Sequence, residues 1–247
     1  MASANSDDDS IDNRPHSCFD DWLNLQRSDL EEILGTLNSP QPEDPNTLVQ
    51  LVEKSIQHFQ DYMNNRTRLA RSNPATFYTP AWCSKLENSL LPTLAIRLVY
   101  ALCGSDLETR LAEVIRGERT GSLADLNASQ LRRVDGLQRH TVQEEERLTG
   151  KMASLQEEIA DHPLAIIAKA SGEVGELTPD VTRAFAEHER AMASLMEEAD
   201  ELRMKTLKEL TNILTPMQSI DYLAGAKKLH LSMHQWGMRI DREHQLG

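Results

Sequence analysis

Apolar residues recur at three- and four-residue spacing through long stretches of this chain, and that period leaves few folds open to it. From Phe19 through Trp22, Leu23, Leu30, Ile33, Leu34 and Leu37 the spacing describes one face of an α-helix over about residues 18–37. Three prolines between Asn38 and Pro45 end it, and Leu48, Val52, Ser55, Phe59, Tyr62, Arg66 and Leu69 trace a second helix that Pro74 stops. Thr79 and Pro80 have the order of an N-cap and a first turn, and Trp82, Leu86, Leu90 and Leu91 supply the next buried face. Pro92 divides that element from a helical piece over Leu94 to Cys103, and a short helix follows around Leu107 to Ile115.

Two longer patterns come next. Leu131, Val134, Leu148, Met152, Leu155 and Ile159 form a near-heptad seam interrupted by Gln138, Thr141 and Glu145. Val181, Phe185, His188, Met192, Leu195, Ala199, Leu202 and Ile213 form another, with Gly172, Gly175, Thr178 and Pro179 between the two. The pair reads as a long antiparallel helical hairpin. Thr215 as cap and Pro216 in the first turn open a last helix, whose expected apolar face is Tyr222, Ala226, Leu229, Met233, Trp236 and Ile240. Hydrophobic residues make up 39% of the chain and aromatics only 4%, so the core is aliphatic and helix is favoured over sheet. The expected fold is all-α: a helical bundle with a long antiparallel hairpin and no sheet. Residues 1–16 are expected to be a disordered acidic tail, 17–240 a single helical domain and 241–247 a C-terminal tail.

The charge balance excludes some roles. Lys and Arg number 26 against 39 Asp and Glu, a formal charge of −13. A chain this acidic repels a phosphate backbone, so direct nucleic-acid binding is not expected. The basic runs, Arg66 to Arg71 and Lys227 to Lys228, are short and lie among apolar helical positions. Cys18, Cys83 and Cys103 are odd in number and far apart, which fits a reduced compartment, and no zinc spacing is present. The polar start lacks the apolar stretch of a signal peptide, and no run approaches the roughly 20 apolar residues of a membrane span.

Catalytic signatures are missing. The chain has no Gly-rich phosphate loop and no Gly-x-Ser-x-Gly elbow, so no enzymatic role is expected. The one constellation that suggests a cofactor is His230 and His234, one helical turn apart, with Met233, Trp236 and Met238 nearby to line a flat apolar group. Boundary histidines with half-buried rings are the competing reading. A zinc-protease pair would need glutamate where Leu231 stands. His188 in the hairpin seam reads as structural, Cys103 as core, and Glu144 to Glu146 as a solvated face.

Several segments carry a resemblance. Cys18-Phe19-Asp20-Asp21-Trp22, Leu51-Val52-Glu53-Lys54 with His58-Phe59, and Phe77-Tyr78-Thr79-Pro80-Ala81-Trp82 resemble the start of the delay-of-germination domain of plants. Asp135-Gly136-Leu137-Gln138, Met152-Ala153-Ser154-Leu155-Gln156-Glu157, Leu214-Thr215-Pro216-Met217-Gln218 and Trp236-Gly237 look like its centre and end. One departure is local: Leu91 runs directly into Pro92 where the family pattern has a Trp-x-Gly-Gly-x-Arg-Pro type insert. The same domain forms the C-terminal part of the TGA class of bZIP transcription factors, but here no basic region or zipper precedes it. The resemblance implies a nuclear and cytoplasmic regulator of seed dormancy and abscisic-acid signalling. It would bind type-2C protein phosphatases, with self-association and bZIP factors as further partners, and haem as a cofactor carried over onto His230 and His234. The alternative it implies is a transcriptional cofactor related to the TGA factors.

Overall fold

The computed structural model describes residues 14–39, 44–73, 76–77, 80, 82–83, 125–161 and 179–245. Among them lie five α-helices and no strand: α1 (Arg14–Leu37), α2 (Pro45–Ala70), α3 (Ala128–Asp161), α4 (Pro179–Ile213) and α5 (Pro216–Gln245). The all-α expectation holds. The expected pieces over Leu86 to Ile115, the insert site at Pro92, Cys103, Thr178 and the acidic tail before Arg14 lie outside the described residues.

Helix starts follow local chemistry. Pro45 and Pro216 occupy first-turn positions, where a missing N–H costs nothing. Asp44 caps α2 by accepting from the Asn46 N–H at 3.2 Å. The starts of α3 and α5 are reciprocal caps. Asn127 Oδ1 accepts from Ser129 and Gln130 N–H, both at 2.9 Å, while Gln130 Oε1 accepts from Asn127 N–H at 3.1 Å. Likewise Thr215 Oγ1 accepts from Gln218 N–H at 3.3 Å and Gln218 Oε1 from Thr215 N–H at 2.9 Å. Gln130 Nε2 then donates to Gln218 Oε1 at 2.7 Å and to the Ile213 carbonyl at 3.1 Å, so the two caps lock to each other inside the protein. Thr215→Ala is expected to cost about 1 kcal/mol in urea unfolding, the usual magnitude for loss of an N-cap side chain.

The main core joins all five helices. Ile33 from α1, Leu51 and Val52 from α2, Val134 and Leu137 from α3, Leu210 from α4, and Ile220 and Leu223 from α5 are buried in one cluster. A second cluster packs Phe19, Trp22 and Leu23 of α1 against Leu231 of α5, with Phe59, Tyr62, Trp82 and Cys83 on its border. A third runs between α3 and α4 through Leu148, Leu195 and Leu202. That pair is the most extensively packed in the structure, as the hairpin reading requires.

Three stripe assignments need correction. Val134 is buried as expected, but Leu131 is exposed, and Gln130 and Leu137 face inward with Val134, Gln130 being drawn in to serve both caps. In α4 the expected Val181, Leu195, Leu202 and Ile213 are buried, but so are Ala193, Met196, Asp200, Met204, Thr206 and Leu210. This helix packs against α2 on one side and α3 on the other, so one seam could not describe it. In α5 Tyr222 and Met233 are buried as expected, but Trp236 and Ile240 are 55% and 44% exposed, and the buried line also takes in Ile220, Leu223, Ala224, Lys227 and Leu231. The lysine in that line is what disguised it.

Candidate functional site

Among the described residues, the buried charged groups form two ionic joints. Asp29 of α1 is 3% exposed and accepts from Lys227 Nζ of α5 at 2.8 Å and from His58 Nδ1 of α2 at 2.9 Å. One carboxylate therefore ties three helices together. Lys227 is itself 4% exposed, and burial lowers its pKa from the usual lysine value while the bond to Asp29 opposes that fall. In the second joint Asp200 of α4 accepts on Oδ1 from Arg66 of α2 and, at 2.5 Å, from Arg203 one turn along its own helix. The basic residues at 66 and 227 are thus structural partners of buried acids. Arg71 extends the second joint outward, donating to Glu197 at 2.5 Å.

Side chains of both joints line a half-open cavity of about 340 Å³. Phe19, Trp22 and Phe59 form aromatic wall, and Leu202, Tyr222 and Ala226 complete its apolar surface. Trp22 stacks on Tyr62 at 4.7 Å between ring centroids and tilts against Phe59 at 5.6 Å. Burial raises the pKa of both Tyr62 and Tyr222, so both phenols stay neutral across the physiological range. The polar part of the wall is Gln26, Lys227, Arg203 and the hydroxyls of Thr141 and Thr206, which lie 3.2 Å apart.

His230 is on the wall of this cavity and His234 is not. Both rings pack edgewise on Phe19, with centroids 6.5 Å and 5.6 Å away. The two imidazoles therefore sit around one phenyl ring and do not both open into the same space. Met233, Trp236 and Met238 lie off the cavity wall as well, and Trp236 faces solvent. Sequence reasoning missed the residues that do shape the cavity's polar end, Gln26 and Lys227. Each stands among apolar neighbours at helical spacing, and that was the available signal. No group of three or more His, Cys, Asp or Glu among the described residues is arranged to hold a metal ion. No helix among them is long and apolar enough to cross a membrane.

Comparison with known proteins matches residues 29–101 to the family model described as seed dormancy control, DOG1. The chain is 36% identical to Protein DOG1-like 3 of Arabidopsis thaliana over 96% of its own length and 88% of that protein's. Protein DOG1-like 1 of the same plant is 37% identical over 92% and 89% of the two chains. Protein RESPONSE TO ABA AND SALT 1, also from Arabidopsis thaliana, is 28% identical over 87% and 90%. With a helical bundle of the expected kind, and with similarity running through nearly all of it, this chain belongs to the DOG1-like family.

Proposed function

We propose that the protein is a non-enzymatic regulator that binds type-2C protein phosphatases in the abscisic-acid signalling that governs seed dormancy, and that it does so in the nucleus and cytoplasm. The observation that carries this reading is the near end-to-end similarity to DOG1-like proteins, together with a relative whose name refers to abscisic acid and salt. Side-chain chemistry agrees with it. The buried acids Asp29 and Asp200 are both bound up in cross-helix pairs. A pull-down from seed extract with the tagged full chain is expected to recover a type-2C phosphatase. Recovery of none, where a DOG1-like relative recovers one, contradicts the proposal. The same experiment tests for bZIP factors and for second copies of the chain as partners.

A second reading, haem binding, is favoured by one feature: His230 stands on the wall of an aromatic-lined cavity. His230 is the residue that would hold the group there, since His234 is off that wall. Haem would add an iron able to sense small gaseous ligands or redox state. Titration with haemin is expected to give a sharpened Soret band that His230→Ala removes and His234→Ala keeps. An unchanged haemin spectrum with the native chain rules this reading out.

A further inference from the structure

The polar end of the cavity has an unfilled hydrogen-bonding requirement. Gln26 is 4% exposed and lines the cavity, and its Nε2 has no acceptor among the described residues. The amide cannot simply be turned round. Its Oε1 already faces Lys227 Nζ at 3.4 Å, and lysine is only a donor, so a flip would set donor against donor. Lys227 also lines the cavity, and its contacts to Asp29 and Gln26 engage two of its three N–H groups. Two neighbouring donor-bearing side chains therefore line one mostly apolar space, whose other polar wall groups are Ser55, Thr141, Arg203, Thr206 and His230. A buried donor without a partner costs about 1–3 kcal/mol, so a native fold that keeps one invites an explanation such as a bound acceptor.

We infer that this cavity binds a compact, apolar, ring-containing small molecule whose carbonyl oxygen accepts from Gln26 Nε2 and from the remaining N–H of Lys227. The volume, about 340 Å³, is near the lower end of ligand cavities, which run from about 300 to 1,000 Å³, and this selects a compact body over an extended one. Trp22, Phe59 and Tyr222 bring aromatic surface to the wall for a ring to pack against. Charge bears on the acceptor. The Lys227 ammonium is already matched by Asp29, which also takes the His58 hydrogen bond, and the Arg203 guanidinium on the same wall is bonded to Asp200, so a neutral carbonyl beside Gln26 and Lys227 suits the site better than a carboxylate brought close to Asp29. A carbonyl oxygen, with two lone pairs, meets both donors at once. Binding would tie α1, α2, α4 and α5 together around one occupant, which stabilises the folded state by mass action and gives the bundle a means of coupling a metabolite to its outer surface.

Prodan, a naphthyl ketone whose emission shifts to the blue on leaving water, is a direct probe, with dimethylaminonaphthalene as its carbonyl-free counterpart. Titrating the full chain is expected to give saturable, blue-shifted prodan emission. Gln26→Leu keeps the size and removes the donor; it is expected to weaken prodan about ten-fold, the equivalent of about 1.4 kcal/mol. The same variant is expected to leave dimethylaminonaphthalene binding unchanged. Ala226→Phe, which fills the space, is expected to abolish both, with circular dichroism reporting that each variant stays helical. Naphthoate, the same ring with a carboxylate, is expected to bind more weakly than prodan. The inference is overturned by unshifted prodan emission, by equal prodan affinity in Gln26→Leu, by binding that survives Ala226→Phe, or by tighter binding of naphthoate. None of these outcomes bears on recovery of a phosphatase, so the two proposals stand or fall separately.

Discussion

Asp29→Ala is expected to destabilise the protein by about 3–5 kcal/mol, because it strands a buried cation and breaks a joint between three helices. Lys227 Nζ, 2.8 Å from the lost carboxylate and shielded from water, would keep only the 3.4 Å contact to Gln26. Its proton affinity, already lowered by burial, would fall further, and His58 would lose its partner as well. The reverse holds for replacing the pair together. Asp29→Leu with Lys227→Met removes both charges, and the double variant is expected to recover most of the loss and to unfold within about 1 kcal/mol of the native chain. Urea unfolding of the three proteins measures this. A double variant as unstable as Asp29→Ala would mean that the joint is needed for reasons other than charge pairing.

Leu210→Ala is expected to cost about 2–5 kcal/mol, the range for truncating a fully enclosed leucine. Leu210 is 0% exposed and sits where residues of all five helices meet, so no single element can move to fill the gap without opening contacts to the others. For a chain of this size each 1 kcal/mol shifts the melting temperature by roughly 2–4 °C, which puts the change well within reach of a thermal scan. Trp236→Ala, by contrast, removes a larger side chain that is 55% exposed, and is expected to leave stability nearly unchanged. A large loss from Trp236→Ala would show that this end of α5 is covered in the folded protein.

Helix class and the caps of α5 could be read directly from the order of residues, because each depends on neighbours a few positions apart. Thr215, Pro216 and Gln218 are within one turn of each other, and their bonding in the structure follows from that alone. Which face turns inward was harder to read wherever the inner line holds a polar group. Gln130, Asp200 and Lys227 are each buried, and each looks like a surface residue until its partner on another helix is known. The partners are 83 or more positions away for Gln130 with Ile213, 134 for Asp200 with Arg66 and 198 for Lys227 with Asp29. No local pattern encodes such a pairing. The same blindness affected the candidate site. A pair of histidines one turn apart is conspicuous in a sequence, whereas the cavity is assembled from single residues on separate helices, with Gln26 and Lys227 brought together only by folding.

Among the described residues, the buried charges Asp29, Lys227 and Asp200 join helices, and Trp236 and Ile240 stand exposed on α5. The proposed role rests on recognition of a partner protein. The most direct measurement is calorimetric titration of the purified full chain into a purified type-2C protein phosphatase, with phosphatase activity followed in parallel. Saturable heat with a defined stoichiometry, accompanied by a fall in phosphatase activity, is the predicted result. Absence of heat, under conditions in which a DOG1-like relative binds the same phosphatase, would contradict the account.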